Sequence, residues 1–294
     1  MYNLSDINTV KSLLKQNGFT FKKSLGQNFL IDPTVCPEMA EYATADGTRN
    51  VIEIGTGVGV LTSELAKTAK KVVAIELDER LRPVLDKTLA EFDNVKVIFG
   101  DVFKTDLKEL IETEFSGEKV SVCANLPYYI TSPIIMMLLE SRLPIESLTV
   151  MVQKEAADRI CAEVGSRESG AVTVAVNYYS KAEKLFDVLR DSFIPSPNVD
   201  SCVIKLSILK QPPIKVADEE SFFKFVRSAF SQRRKTLVNS VSSTAGIPKD
   251  VIIKALSFAG LELNIRAERL AMKDFETVFS FVYENMSGGT KNEF

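Results

Sequence analysis

Asn50-Val51-Ile52-Glu53-Ile54-Gly55-Thr56-Gly57-Val58-Gly59 opens as a β-branched apolar run and closes on a turn with glycine at alternate positions. The run has no period-2 alternation, which is how a strand buried on both faces of a parallel sheet reads. Glycine lets the backbone turn sharply and pass close to a ligand, and the helix-like stretch that follows, Leu61–Ala69, offers free N–H groups at its start. Strand, glycine turn and helix together form the opening unit of an α/β fold.

The same alternation continues outward. Lys71–Glu76, Val95–Phe99, Val120–Ala124 and Ser147–Val152 are further Val- and Ile-rich runs, separated by helix-like stretches such as Glu79–Glu91 and Pro133–Glu140. This pattern predicts a doubly wound, mostly parallel, Rossmann-like α/β sheet. Two more strands, near Ala182–Leu189 and Ser201–Leu209, flank the turn Phe193-Ile194-Pro195-Ser196-Pro197-Asn198 with no helix between them, so an antiparallel edge hairpin is expected. Lys210-Gln211-Pro212-Pro213 reads as a linker. Beyond it Phe222, Phe223, Val226, Ala229 and Phe230 recur at helical spacing, with similar stripes over Lys249–Phe258 and Asp274–Tyr283. The expected domains are 1–210, an α/β unit, and 211–294, a small all-α unit frayed at its end.

Chemistry gathers at the strand ends. The turn spacing is G-x-G-x-G rather than the G-x-G-x-x-G of dinucleotide sites, which argues against an NAD dehydrogenase. Glu76 ends the second strand, 21 residues after Gly55, where a carboxylate can accept both hydroxyls of a ribose. Asp101 follows the third strand and can accept from an adenine amino group. Behind the fourth strand stands Asn125-Leu126-Pro127-Tyr128. The Asn125 side-chain oxygen accepts from an exocyclic NH2, and Pro127 pushes Leu126 towards an extended conformation that presents its carbonyl as a second acceptor. Tyr128 supplies a flat face for a flipped base.

Composition narrows the reaction. The chain of 294 residues contains no histidine, which removes Ser-His-Asp and Cys-His schemes and histidine general bases. Cys36, Cys123, Cys161 and Cys202 form no C-x-x-C pair, so reduced buried thiols and no metal site are expected. A carbon group moving to an amine needs little acid–base help, because the alkylated nitrogen sheds its own proton. Net charge is −3, but Lys224, Arg227, Arg233, Arg234 and Lys235 stand without an acid between Ser221 and Ser240. Lys22 and Lys23 add to a second basic stretch near the N-terminus. Local charge rather than its sum governs phosphate binding, so both stretches are candidate RNA contacts. No apolar run of eighteen residues and no signal peptide occur, and a cytoplasmic, membrane-free protein is expected.

Taken together, Lys22-Lys23-Ser24-Leu25-Gly26-Gln27-Asn28-Phe29-Leu30, Glu53–Gly59, Asn125–Ile130 and Phe193–Ser201 resemble the KsgA-type small-subunit rRNA adenine N6-dimethyltransferases, from about residue 20 to 285. The resemblance implies a monomeric enzyme of ribosome biogenesis that uses S-adenosylmethionine to dimethylate N6 of two adjacent adenosines near the 3′ end of 16S rRNA in the 30S subunit. It implies that residues 1–30 close over the cofactor, with Gln27, Asn28 and Leu30 on its methionine part. Gly55 and Gly57 would approach it by backbone, Glu76 with Leu77 would hold the ribose, and Asp101 with Val102 the adenine. Asn125 would grip the target amino group between Tyr128 and Phe193. Ile194-Pro195-Ser196-Pro197 departs from the family's Pro-rich turn at its first position but leaves Phe193 in place. A 23S rRNA adenine methyltransferase of the macrolide-resistance type shares the glycine loop and the Asn-x-Pro-Tyr signature. A mainly non-catalytic ribosome assembly factor is the alternative of another class.

Overall fold

The computed structural model describes residues 2–19, 28–45, 47 and 50–286. In chain order its elements are α1 Ile7–Gln16, β1 Phe29–Leu30, α2 Val35–Thr44, β2 Asn50–Ile54, α3 Val60–Thr68, β3 Lys71–Glu76, α4 Arg82–Thr88, β4 Val95–Phe99, α5 Leu107–Phe115, β5 Val120–Asn125 and α6 Thr131–Glu140. There follow β6 Ile145–Gln153, α7 Lys154–Ile160, α8 Ala171–Tyr179, β7 Ser180–Val188, β8 Phe193–Ile194, β9 Ser201–Ile208, α9 Glu219–Phe230, α10 Leu237–Ala245, α11 Lys249–Phe258 and α12 Met272–Met286.

The chain forms two compact units, Met1–Ala157 with Ala182–Ile208, and Asp158–Lys181 with Leu209–Phe294. The first is built on a seven-stranded sheet in the order β4-β3-β2-β5-β6-β9-β7. β4, β3, β2, β5 and β6 run parallel, and β9 is antiparallel to β6. The α/β class read from the sequence is therefore the observed one. Every residue of β2 is buried, as its unbroken apolar run requires at the sheet centre. β4 differs: it lies at the sheet edge, its residues are only partly buried, and Lys96 is exposed. A continuous Val/Ile run does not distinguish an edge strand covered on one side from a central one.

The chain steps outward from β2 through β3 to β4, then returns to β5 on the other side of β2. That reversal opens a crevice at the carboxyl ends of β2 and β5, where ligands of open α/β sheets bind. β9 and β7 are neighbours, with β7 at the far edge, yet the Phe193 turn between them is not a simple hairpin loop. Its residues Phe193 and Ile194 form β8 and pair antiparallel with β1, a contact no local pattern announces.

The second unit is helical. Tyr178 and Tyr179 of α8 pack on Phe222 and Phe223 of α9, with ring centroids 5.0–5.8 Å apart in this cluster, and Phe222 also meets Phe279 of α12 at 5.4 Å. Residues 158–181, which the sequence reading left with the α/β part, group here because α8 buries both tyrosines against α9. Phe225, which the helical stripe omits, is fully buried.

Candidate active site

Two backbone hydrogen bonds draw the strand ends together: Gly55 N–H donates to the Ile75 carbonyl at 2.9 Å, and Gly100 N–H to the Glu76 carbonyl at 2.8 Å. The glycine turn then follows a path few other residues could take, since Gly55, Gly57 and Gly59 have φ of 81°, 55° and 90°. Space is tight at Gly57 as well, where a Cβ would stand 3.1 Å from the Phe29 ring, whereas one on Gly55 would make only an ordinary contact with the Asn125 backbone oxygen at 4.0 Å.

These elements surround a cavity of about 340 Å3. Of the residues singled out from sequence, Asn28, Leu30, Gly55, Gly57, Glu76, Leu77, Asp101, Val102, Asn125, Leu126, Pro127, Tyr128 and Phe193 all line it. Four separated motifs thus converge on one crevice. Gln27, Lys22 and Lys23 lie outside the described residues. Arg227, Arg233, Arg234 and Lys235 belong to the helical unit and are exposed.

Each wall has an identifiable support. Glu76 is buried, with one oxygen accepting from Thr56 Oγ1 at 2.9 Å and Gly57 N–H at 3.1 Å, and the other from Asp78 N–H at 2.8 Å. Burial pushes its pKa up, while the donors from Asp78, Thr56 and Gly57 oppose that shift. The carboxylate is therefore held rigidly at the glycine turn. Asp101 accepts from Phe103 N–H at 3.0 Å through one oxygen, and among the described residues its other oxygen has no hydrogen bond. The Asn125 side-chain amide likewise makes none there, so its polar atoms are available to a ligand. Pro127 has φ −56° and ψ 130°, its φ held where the pyrrolidine ring fixes it. Tyr128 Oη and Ser201 Oγ lie 2.8 Å apart, which anchors the tyrosine ring to the start of β9. Phe193 is buried, yet it contributes to the cavity wall.

Several participants had escaped the sequence reading. The Phe29 ring, from the same motif as Asn28 and Leu30, fills the space that Gly57 leaves. Thr56 and Ser201 act through hydroxyls that position Glu76 and Tyr128, and their partners lie 20 and 73 residues away in sequence. Glu53 precedes the turn and is fully buried, with neither carboxyl oxygen hydrogen-bonded among the described residues.

Burial pushes Glu53 up to about 8; the Thr62 hydroxyl, which faces it without completing a hydrogen bond, works against this and the Glu76 carboxylate adds to it. Glu53 is thus neutral in the fold at neutral pH but ionised in the unfolded chain above its ordinary value of 4.5. The unfolded state then binds fewer protons, so stability falls as pH rises from about 4.5 to 8, by up to about 1.4 kcal/mol per pH unit from this group, and levels off above. Thermal unfolding across pH 5–8 should show a shallower decline in Glu53→Gln than in the wild type. Equal slopes would remove Glu53 as their source.

The family model described as ribosomal RNA adenine dimethylase matches residues 18–284. The chain is 45% identical over 282 residues to ribosomal RNA small subunit methyltransferase A of Bacillus mycoides strain KBAB4, covering 95% of this chain and 97% of the relative. The same figures hold for the protein of that name from Bacillus cereus strain B4264. Among solved structures, a dimethyladenosine transferase from Plasmodium falciparum is similar with a TM-score of 0.68 and 25% identity over 88% of this chain and 97% of that one. The 23S rRNA methyltransferase ErmE is similar at 0.65 and 26%, over 86% and 98%. With most of its length matched by the family model and nearly half its residues shared with enzymes across their full length, the chain belongs to the ribosomal RNA adenine dimethylase family, and it is an rRNA adenine methyltransferase.

Proposed function

We propose that the protein uses S-adenosylmethionine to dimethylate N6 of two adjacent adenosines near the 3′ end of 16S rRNA within the small subunit. The observation that carries this reading is the convergence of Asn125-Leu126-Pro127-Tyr128 and Phe193 with the glycine turn, Glu76 and Asp101 on one cavity. A volume of about 340 Å3 lies within the range of small-molecule pockets. The donor set also fits a nucleoside-containing cofactor: a buried, rigidly held carboxylate for ribose hydroxyls, a second carboxylate for an amino group, and a cradle at Gly57 that a Cβ would crowd. Bound there, the cofactor supplies an electrophilic methyl group on a sulfonium.

The chain's own residues do the positioning. The Asn125 side-chain oxygen and the Leu126 carbonyl each accept one proton of the adenine NH2, which turns the nitrogen lone pair away from both acceptors. Tyr128, fixed through Ser201, and Phe193 provide two faces for stacking, and base–aromatic stacking is worth about 1–3 kcal/mol per ring against an extrusion cost of a few kcal/mol. After the first transfer one proton remains on N6, and either of the two acceptors can take it. No histidine is required.

The small-subunit reading is favoured over a large-subunit one by the 45% identical relatives, whose name specifies the small subunit, whereas ErmE is matched at 26%. Labelled S-adenosylmethionine incubated with undermodified small subunits should yield dimethyladenosine on nucleoside analysis. Label found only in large-subunit rRNA would reverse the assignment.

In the helical unit, exposed Arg233, Arg234 and Lys235 form a cationic cluster suited to phosphates. Changing all three to alanine should weaken subunit binding and make the dependence of log K on log salt shallower by about 2–3. An unchanged salt slope would place RNA contact elsewhere.

A further inference from the structure

Asn28 and Leu30 line the same cavity as Phe193, and a short antiparallel ribbon joins the two segments. Leu30 pairs with Phe193 and Phe29 with Ile194, and the Ile31 N–H donates to the Ser192 carbonyl at 2.9 Å. Strands of two residues cannot hold their register unaided. A side-chain clamp stands at the end of this ribbon. Ser192 Oγ donates to Asp32 Oδ2 at 3.1 Å, while Asp32 Oδ1 accepts from the Thr34 N–H at 3.0 Å and from Thr34 Oγ1 at 2.7 Å. Asp32 is thereby fixed to the entry of α2, which is anchored in turn by buried Val35, Cys36, Met39 and Ala40. The two Thr34 donors, helped by Ser192, hold the Asp32 carboxyl below its ordinary range and keep it an acceptor.

We propose that Asp32 and Ser192 are positioning residues for methyl transfer, clamping Phe193 in register with Asn28–Leu30 so that the cofactor side and the base side of the cavity move as one wall. The proposal rests on the function given above, in which Phe193 stacks on the target base, and on the family resemblance, which implies that Asn28 and Leu30 face the methionine part of the methyl donor. Neither residue of the clamp touches either ligand; both act through the ribbon. A displacement of residues 28–30 on cofactor binding would be passed to Phe193, and base stacking would be passed back. Such coupling is reciprocal between the two binding events.

The test uses the full-length protein, undermodified small subunits and S-adenosylhomocysteine as the cofactor probe. Ser192→Ala should lower kcat/KM for the subunit by about five- to tenfold, the scale of one hydrogen bond, while affinity for S-adenosylhomocysteine without subunits stays within about twofold. Ser192→Thr, which keeps the hydroxyl, should restore activity. In the wild type S-adenosylhomocysteine should bind more tightly when subunits are present, and this gain should shrink in Ser192→Ala. Asp32→Ala breaks the same bond from its other end, so the double variant should lose no more than Asp32→Ala alone. Wild-type kcat/KM and an undiminished gain in Ser192→Ala would overturn the proposal. So would a loss that Ser192→Thr does not restore, or one accounted for by cofactor affinity alone. Phe193→Ala, measured alongside, separates the two levels: full activity there would overturn the stacking reading itself, whereas an impaired Phe193→Ala beside an unaffected Ser192→Ala would overturn the clamp alone.

Discussion

Replacing Asn125 by alanine is expected to lower kcat by about a hundred- to a thousandfold while leaving S-adenosylhomocysteine binding nearly unchanged. Asn125 ends β5, beside the turn at Gly55, and the variant keeps the Leu126 carbonyl, the Pro127 geometry and the Tyr128–Ser201 contact. What it removes is a single acceptor for the amino group. With only the backbone acceptor left, the target NH2 rotates freely about the direction of one hydrogen bond, and its lone pair is no longer aimed. Because this orientation matters in the transition state more than in the bound state, the loss falls on kcat rather than KM. Asn125→Asp keeps an oxygen acceptor and should retain more activity than alanine at neutral pH. Steady-state rates on undermodified subunits, paired with calorimetric cofactor titration, check the prediction. An Asn125→Ala enzyme with wild-type kcat would remove Asn125 from the catalytic centre.

Glu76→Ala is expected to lower cofactor affinity by about a hundredfold and to destabilise the first unit, the combined effect of a lost ribose acceptor and unpaired buried donors. Thr56 Oγ1, Gly57 N–H and Asp78 N–H all converge on this carboxylate, so its removal leaves three donors without their acceptor at the floor of the cavity. The glycine turn, whose positive φ values side chains rarely adopt, then loses the group that holds it in place. Glutamine is no neutral substitute, because its amide NH2 must confront either Asp78 N–H or the Thr56 and Gly57 donors. Glu76→Gln should therefore fall between wild type and alanine. Calorimetry with S-adenosylhomocysteine, together with a melting curve, distinguishes the two effects. Binding within about twofold of wild type in a folded Glu76→Ala protein would deny Glu76 a role in holding the cofactor.

The α/β core was legible because its signals are local. An unbroken apolar run makes a buried strand, and a glycine-spaced turn after it makes a strand–helix junction, whatever lies elsewhere in the chain. That Glu76, Asp101 and Asn125 line one cavity could be read for a related reason: each ends such a run or follows within two residues of it, and parallel strands place their carboxyl ends on one edge. The residues that support them could not be found this way. Ser201 reaches Tyr128 and Thr56 reaches Glu76 only after the sheet has formed, and the paired segments of β1 and β8 are more than 160 positions apart. The apolar, β-branched sequence of α8 concealed its place among the C-terminal helices, since what groups it there is the packing of its tyrosines on Phe223 of α9.

By itself, then, the sequence determined the class of fold, the edge on which the cavity opens, and residue types that line it. Local backbone preference and the period of apolar residues suffice for that. Tertiary structure decided which side chains hold those groups still: Ser201 behind Tyr128, Thr56 and Gly57 on Glu76, and Asp32 with Ser192 at the Phe193 ribbon. Hydrogen bonds between distant segments depend on strand order and register, and those are set by packing the whole sheet rather than by any stretch within it.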